Sequence, residues 1–355
     1  MGAVKSGLAG VAPIAVGFAL AIALQVSSGS IIPPFYVKLL MDIGINVILA
    51  VSLNLVNGFT GQFSIGHAGF MAVGGYVAGA ITYYGSWTLF GTAQVQPGWF
   101  SRGDLLFLVA CIVGALAAAG VGWIVGLPSL RLRGDYLAIV TLGFGEILRV
   151  LLQRTGDVLT TVDQVAAAST AQVATALGGS LGFTGLAYYT DLFWIYMFVT
   201  ITLVVALRLK FSSLGRAFLS IRENEIAAEA VGIHTTSIKV RAFVLAAAFA
   251  GIAGGLFAHE VGTSLNPREL GFQKSFDVVI MVVLGGMGSI SGAVLAAIVL
   301  TLLPEALRSA SEFRMPIYAL ALILMMILRP QGLLGLKEIW ELPWIARARG
   351  RKASS

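Results

Sequence analysis

Two glycine-rich segments of the sequence share one spacing, G-x-x-G-x-x-S. Glycines of this kind can interrupt a helix and expose backbone N–H and C=O groups, which can bind the charged ends of a zwitterionic solute. They can equally serve for tight turns or for close packing of helices. The members of the two segments and their neighbours, which we take as candidate residues of a translocation path, are Gly58, Gly61, Gln62, Ser64, Gly66, His67, Gly285, Gly288 and Ser291.

Four ionisable side chains lie within apolar runs of the sequence, namely Asp42, Glu146, Arg149 and Asp277. Each would cost roughly 2.5–3.5 kcal/mol at the centre of a membrane helix. Glu146 and Arg149 are three residues apart, so one helix face can hold them as an ion pair, either structural or part of a gate. Asp42 and Asp277 have no partner close in sequence, and we expect each to meet an Arg or a helix N-terminus on another segment, or to line water.

The sequence contains no constellation that indicates catalysis, metal binding or nucleotide binding. The three histidines, His67, His234 and His259, share no metal-ligand spacing. The phosphate-binding pattern G-x-x-x-x-G-K-[ST] is absent, as are G-x-S-x-G, H-E-x-x-H and paired cysteines. We therefore expect no catalytic residue, metal or cofactor on this chain, and any ATP hydrolysis must come from a partner.

The elements that position these residues are predicted to lie in a membrane. Of the 355 residues, 57% are hydrophobic and only 11% are charged, whereas soluble domains carry about 25% charged residues. This composition excludes a soluble enzyme, a disordered chain and, with Cys111 as the one cysteine, a disulfide scaffold. No basic patch interleaved with aromatic residues indicates a nucleic-acid partner.

Ten apolar runs are candidate membrane helices, because roughly 20 apolar residues span a bilayer. The runs are 7–26, 39–56, 68–84, 105–130, 136–152, 186–207, 242–258, 276–285, 289–303 and 315–328. The last three are short, which predicts broken or re-entrant segments held within protein. Residues 1–26 are similar to a signal peptide, but no convincing cleavage site follows, which favours a first membrane helix. We expect an all-α integral membrane fold of about ten membrane-entering helices, with an internal repeat.

The basic residues predict the orientation of these helices, because cytoplasmic loops collect Lys and Arg. With ten crossings and an internal N-terminus, 15 of the 23 basic residues fall on the cytoplasmic side and 7 outside, while Arg149 lies within a helix. Both termini are therefore expected in the cytoplasm. The net charge of +6 then indicates contact with membrane lipid headgroups.

A hydrophilic cytoplasmic stretch, residues 211–241, is predicted to hold two short helices. Ser212 and Ser213 can cap the first, and Asn224 can cap the second, which stops at Gly232. The stretch is either an interfacial helix on the lipid headgroups or a rigid element that fits a groove on a cytoplasmic partner.

A second hydrophilic stretch, residues 153–185, is predicted outside. Its sequence VAAASTAQVATALGGS is consistent with one short surface helix that ends at Gly178 and Gly179. The stretch is either a covering loop or a docking surface for an external partner.

Four motifs, in the same order, resemble the LivM-type permeases of branched-chain amino acid ABC importers, in the hydrophobic amino acid uptake family. The motifs are GFTGQFSIGHAGFMAVGGY at 58–76, GDYLAIVTLGFGEILRVLL at 134–152, GRAFLSIRENEIAAEAVGIHTTSIKVRAFVLAAAFAGIAGGLFA at 215–258, and VVLGGMGSISGAVLAA at 282–297 followed by RPQGLLG at 329–335. The resemblance covers residues 39 to 335. It departs at 153–185, where the family has a compact glycine-rich turn, so contacts of this loop are not transferred.

The resemblance implies one half of a type II-like ABC importer core. One transmembrane permease domain would cover residues 1–335, with a basic cytoplasmic tail at 336–355. The implied partners are a LivH-like second permease, two cytoplasmic ABC ATPases similar to LivG and LivF that carry ATP and Mg, and a periplasmic or lipid-anchored substrate-binding protein. The implied location is the bacterial cytoplasmic (inner) membrane. The helix that couples to the ATPases would carry Arg222, Glu223, Asn224, Glu225, Ala227, Ala228, Glu229 and Gly232.

The expected function is ATP-driven import of Leu, Ile, Val or related hydrophobic amino acids, without enzymatic activity on this chain. Urea, or another amide or amino acid, is an alternative substrate, because close relatives of the family carry urea. An ion-coupled secondary transporter would instead use Asp42, Glu146 or Asp277 as its coupling site. A channel-like subunit would pass solute without ATP.

Overall fold

The computed structural model describes residues 2–28, 32–92, 101–129, 136–260, 264–308, 313–329 and 331–341. Each of the ten predicted apolar runs overlaps a helix, so the prediction of an all-α fold is confirmed. The α-helices are α1 Gly2–Ser28, α2 Pro34–Asn54, α3 His67–Phe90, α4 Arg102–Ser129, α5 Tyr136–Gln153, α6 Val162–Ala167, α7 Thr170–Thr175, α8 Leu192–Lys210, α9 Ser213–Glu223, α10 Glu225–Ala230, α11 Thr235–Ala258, α12 Phe272–Gly285, α13 Ile290–Ala306 and α14 Arg314–Leu328.

The helix lengths are those of a multi-pass membrane protein. Within the described ranges, five segments are long and apolar enough to cross a membrane: Pro34–Phe59, Arg102–Ser129, Tyr136–Gln153, Leu192–Lys210 and Thr235–Ala258. By contrast, α12 has 14 residues, about 21 Å of helix, which is less than the hydrocarbon thickness of about 30 Å. It packs against α2, α3 and α13, so the short helix is enclosed by protein as the sequence predicts.

Glycine contacts hold the centre of the bundle together, where α3, α4 and α11 pack on one another. A Cβ atom on Gly74 would lie 2.2 Å from the carbonyl oxygen of Gly251, and one on Gly254 would lie 1.9 Å from that of Met71. Small residues allow such backbone approach, and van der Waals packing of this kind drives helix association in lipid.

The start of α8 corrects the predicted run 186–207. The helix begins at Leu192, because Thr190, two residues before it, bonds to the end of α11 instead of to a helical turn of its own. Thr190 donates from its backbone N–H to the carbonyl of His259 (3.2 Å) and from its hydroxyl to that of Leu256 (2.9 Å). Asp191 is extended (φ −112°, ψ 168°) and is the residue before the first turn.

The loop 153–185 also differs from the prediction of one surface helix. It contains two helices of six residues each, α6 and α7. They are separated because Ala168 is extended and Ser169 caps α7, accepting from the N–H of Gln172 while the Gln172 side chain accepts from the N–H of Ser169. This capping box fixes a new helix start within the polar stretch.

Candidate coupling site

The two glycine segments lie against each other at one end of the bundle. Asn54, near the end of α2, donates from Nδ2 to the carbonyl of Ser289 at 3.0 Å, and its Oδ1 accepts from the N–H of Gly288 at 2.9 Å. A Cβ atom on Gly58 would stand 2.5 Å from the backbone nitrogen of Gly288. We call this contact, between residues 54–61 and 285–291, the glycine junction.

Both glycine segments interrupt helices. After α2 the chain makes a π-helical turn, Leu55–Phe59, and leaves the helix at Gly61, whose φ is +68°. The second segment ends α12 and turns through Gly286 (φ +106°) and Gly288 (φ +97°) before α13. These positive φ values favour glycine, because a Cβ atom is strained there. Backbone groups of two helix ends therefore face each other at the junction.

The remaining predicted path residues of the first segment lie beyond the junction. Ser64 exchanges two hydrogen bonds with the Asn57 side chain, at 3.1 and 3.4 Å. The Nε2 atom of His67 lies 2.8 Å from Oγ of Ser52, and both side chains are buried. Gly66 packs on the carbonyl of Thr141, which a Cβ atom would approach to 2.3 Å. These residues are thus held by α2 and α5.

Gln62 differs from its neighbours. Its Oε1 atom is buried and accepts no hydrogen bond from the described residues. An unsatisfied buried acceptor costs about 1–3 kcal/mol, so this atom is available to a donor that enters the site.

Arg222 joins α9 to both sides of the junction. Its Nη1 atom donates to the carbonyl of Gly58 at 2.8 Å and to that of Met287 at 3.2 Å. A Cβ atom on Gly61 would lie 3.0 Å from Cγ of Arg222, so the glycine leaves room for the arginine stem. The resemblance assigns Arg222 to the helix that couples to ATPases, and its guanidinium points into the membrane domain.

The caps of the two short helices lie where the sequence predicts them. Ser212 accepts from the N–H of Gly215 at 3.1 Å, and Ser213 is the first helical residue of α9. Asn224 accepts from the N–H of Ala227 at 3.0 Å and starts α10. Gly232, with φ +88°, ends this helix in a left-handed turn of the Schellman type.

The acidic residues of α10 brace it against α11. Oε1 of Glu225 lies 2.6 Å from Nζ of Lys239, whose side chain is buried, and Oε1 of Glu229 accepts from the hydroxyl of Thr235 at 2.7 Å. Ala228 is buried too. Three members of the predicted set therefore hold the element in place through contacts within this chain.

Two large aliphatic side chains of this element are exposed. Ile226 and Val231 are 69% and 77% exposed, and both were missed as candidate residues. A signal for them is present in the sequence, since Ile226 is a large aliphatic residue in a short, charged surface helix and Val231 directly follows that helix. We take these two side chains as candidates for an interaction site, and Glu223 and Ala227 lie exposed near them.

A carboxylate from the C-terminal segment caps α13 at the junction. Glu338, which is fully buried, accepts from the N–H groups of Ile290 (3.0 Å) and Ser291 (2.9 Å) and forms an ion pair with Lys210. Lys210, the last residue of α8, also donates to the carbonyl of Gly288 at 3.0 Å. Burial raises the pKa of Glu338, but the hydrogen bonds from Lys210, Ser291 and Ile290 together lower it below its usual value.

Neither Lys210 nor Glu338 was identified from the sequence, because the two residues that form this ion pair are 128 positions apart. Leu333 also bonds to this region, from its N–H to the carbonyl of Leu284 at 2.7 Å. We expected a cytoplasmic tail after residue 335. The described part of that tail, which ends at residue 341, instead packs against the membrane domain.

The ionisable residues of the apolar runs are paired or lie near an opposite charge. Nε of Arg149 lies 2.7 Å from Oε2 of Glu146, and Oε1 of Glu146 accepts from the N–H of Phe272 at 3.1 Å. The pair on α5 thus caps the start of α12.

Each of the two aspartates has a lysine close to it in sequence, where we expected no such partner. Lys38, one turn before Asp42, brings its Nζ to 3.8 Å from the Asp42 carboxylate and to 2.9 Å from that of Glu260. Asp277 interacts electrostatically with Lys274, three residues earlier. In both cases one cation is on the same helix, at a spacing that places two side chains on one face. Asp42 also interacts electrostatically with Lys274 of α12. No group of three or more metal-ligating side chains occurs in the described ranges.

Known proteins are similar in sequence to this chain over most of its length. A family model described as "branched-chain amino acid transport system / permease component" matches residues 35–329. The permease LivM of the high-affinity branched-chain amino acid transport system of Escherichia coli is 37% identical over 310 residues, covering 82% of this chain and 68% of the relative. The permease LivH of the same species is 27% identical over 297 residues, which cover 82% of this chain and 92% of LivH. A probable LivM permease of Methanocaldococcus jannaschii is 26% identical over 276 residues, which cover 73% of this chain and 77% of the relative.

No solved structure matches this chain. The matched range runs from the second residue of α2 to the end of α14, and it includes the glycine junction, Arg222 and the exposed Ile226 and Val231. The chain therefore belongs to the family of permease components of branched-chain amino acid transport systems.

Proposed function

We propose that this chain is one permease subunit of an ATP-driven importer, which moves Leu, Ile, Val or related hydrophobic amino acids into the bacterial cytoplasm. A LivH-like permease would pair with it, since relatives named LivM and LivH are permeases of one type of transport system. Two cytoplasmic ABC ATPases would hold ATP and Mg, and a periplasmic or lipid-anchored binding protein would deliver the solute. Both termini would lie in the cytoplasm, where the basic residues concentrate.

The observation that carries the proposal is the pair of hydrogen bonds from Arg222 to Gly58 and Met287. An ATPase that presses on Ile226 and Val231 would move α10, which α11 braces through the ion pair of Glu225. Because α9 precedes α10 directly, the movement reaches Arg222 and, through it, the ends of α2 and α12 together. One arginine thereby ties an exposed docking face to both halves of the junction.

We place the cytoplasmic gate of the solute path at the glycine junction. Its support is the concentration of helix ends and backbone polar groups there, together with the unsatisfied Oε1 atom of Gln62. Gly61 and Gly288 allow the backbone turns at this gate. The more distant Ser64, Gly66 and His67 would hold the start of α3 in place.

Charge pairing argues against an ion-coupled secondary transporter. Such a carrier needs an acidic side chain that is free to take up the coupling ion. Asp42 and Glu146 each form an ion pair with a cation on their own helix, and Asp277 has Lys274 beside it. These charges are better suited to structural neutralisation.

The test is reconstitution of this chain, its second permease and both ATPases in liposomes. With the binding protein present, uptake of labelled leucine should require ATP and should be insensitive to an imposed proton or sodium gradient. Uptake driven by an ion gradient without ATP would contradict the proposal. Uptake of urea, with no leucine uptake, would keep the ATP-driven mechanism and reject the substrate.

A further inference from the structure

An open groove runs along the surface between α4 and α11, beside the proposed coupling element. Its volume is about 930 Å³, near the upper end of the range for small-ligand sites, about 300–1,000 Å³. Trp123 and Leu127 of α4 form one wall, and Val244, Leu245 and Ala248 of α11 form the other. The body of the groove is therefore apolar and long.

One end of the groove is polar. His234, Thr236, Ser237 and Arg241 line it, and Arg241 is exposed. Within the described ranges Arg241 forms no hydrogen bond or ion pair, so its charge is available to a ligand.

The groove has an apolar body and a polar end, as the hydrocarbon and headgroup regions of a membrane do. Trp123 is 54% exposed, and tryptophan is enriched where hydrocarbon meets headgroups. Neighbouring residues on α4, such as Leu116 and Ile124, are exposed and apolar. The groove therefore opens beside a face of exposed apolar side chains, and Arg241 lies at its polar end.

We propose that this groove binds one anionic phospholipid. The phosphate lies at Arg241 with the hydroxyls of Thr236 and Ser237 as further donors, and an acyl chain follows the wall from Trp123 to Ala248. A guanidinium binds phosphate oxygens through a fork of N–H donors. A transmembrane helix of another subunit fits less well, because it would need an acidic residue at this depth to pair with Arg241.

Such a lipid would touch the turn that anchors the coupling element. Lys239, which holds Glu225, is two residues from Arg241, and His234 borders both this groove and a smaller cavity lined by Glu229 and Gly232. A bound lipid would thus stiffen the connection between α10 and α11. The proposal does not depend on the transported solute.

Native mass spectrometry of the full purified chain tests the inference. The chain is incubated with phosphatidylglycerol or with phosphatidylcholine of the same acyl chains, and the retained lipid is counted. We expect preferential retention of phosphatidylglycerol. Arg241→Gln, which removes the charge, and Ala248→Phe, which fills the apolar body, should each lower that retention about tenfold.

The matched control is Arg216→Gln, which removes an exposed arginine of α9 outside the groove and should leave retention unchanged. Equal retention of the two lipids, an equal loss in the control variant, or displacement of the lipid by inorganic phosphate would overturn the proposal. If Ala248→Phe removed a co-purifying membrane subunit and left lipid retention intact, the groove would be a subunit interface. Should Ala248→Phe fail to fold, Arg241→Gln decides alone.

Discussion

Asn54 accepts a hydrogen bond on its side-chain oxygen from the N–H of Gly288 at 2.9 Å, across 234 positions of the chain. The side-chain nitrogen of Asn54, Nδ2, donates to the carbonyl of Ser289, the residue after Gly288. One side chain therefore fixes the end of α2 to the turn between α12 and α13. The two carbonyls to which Arg222 donates, those of Gly58 and Met287, lie beside this joint.

Replacement of Asn54 by leucine should loosen the junction. Asn54→Leu leaves the buried N–H of Gly288 without its acceptor, which costs about 1–3 kcal/mol. The carbonyl of Ser289 keeps its bond from Ala293. Denaturant titration in detergent micelles should register the loss. Thr88→Val, at an exposed position where the hydroxyl bonds only within its own helix, should stay within about 0.5 kcal/mol, and an equal loss in both variants would contradict the role of the joint.

Added volume at Gly58 should force the junction apart. In Gly58→Ala the new Cβ atom would stand 1.9 Å from Oδ1 of Asn54 and 2.5 Å from the backbone of Gly288, and backbone cannot move aside cheaply. We expect a lower melting temperature and loss of uptake. Gly120→Ala in α4 meets nothing within 4 Å and should be neutral or gain up to about 1 kcal/mol from helix propensity. A melting temperature for Gly58→Ala equal to that of Gly120→Ala would refute the close approach.

Glu338 should stabilise the C-terminal segment in a pH-dependent way. Its pKa is lower in the folded chain than in the unfolded chain, where it is about 4.3. The stabilisation is therefore complete above that unfolded value and is lost as the pH falls through the lower folded value. Glu338→Gln should destabilise the protein at pH 7, and its difference from wild type should shrink below about pH 4.

Hydrogen exchange at the amide of Leu333, which bonds to Leu284, reports on this segment directly. The matched control is Glu223→Gln, at an exposed carboxylate of α9. It should follow wild type at every pH. A pH-independent difference between Glu338→Gln and wild type would rule out the ionised carboxylate as the stabilising group.

The helices could be predicted from the sequence because apolar length dominates in a membrane. Asn224 and Gly232 were also predictable, since a helix cap depends on residues a few positions away. The partners of Arg222 could not be predicted, because Gly58 lies 164 positions away. Its contact is made by a backbone carbonyl, which every residue has. The start of α8 was misplaced for the same reason, as Thr190 is held by residues at the end of α11.

Exposed aliphatic residues on α10 should carry the contact with an ATPase. Ile226→Ser and Val231→Ser remove apolar area from positions that are 69% and 77% exposed, so the fold should keep its stability within about 0.5 kcal/mol. Burial of such a side chain at an interface contributes about 1.5–3 kcal/mol, so each change should weaken ATPase association at least about tenfold. Leu181→Ser, 78% exposed in the loop 153–185, is the control. Unchanged co-purification of the ATPases with both variants would reject this docking face.

The ratio of leucine taken up to ATP hydrolysed, in liposomes that hold the complete importer, tests the role of Arg222 most directly. Arg222→Ala removes the bonds to Gly58 and Met287 and leaves Ile226 and Val231 in place. The complex should assemble and hydrolyse ATP, and the ratio should fall about tenfold or more, since a hydrogen bond from a charged donor is worth about 1.5–3 kcal/mol. Arg216→Ala, on the same helix, should keep the wild-type ratio. A wild-type ratio in Arg222→Ala would contradict coupling through the glycine junction.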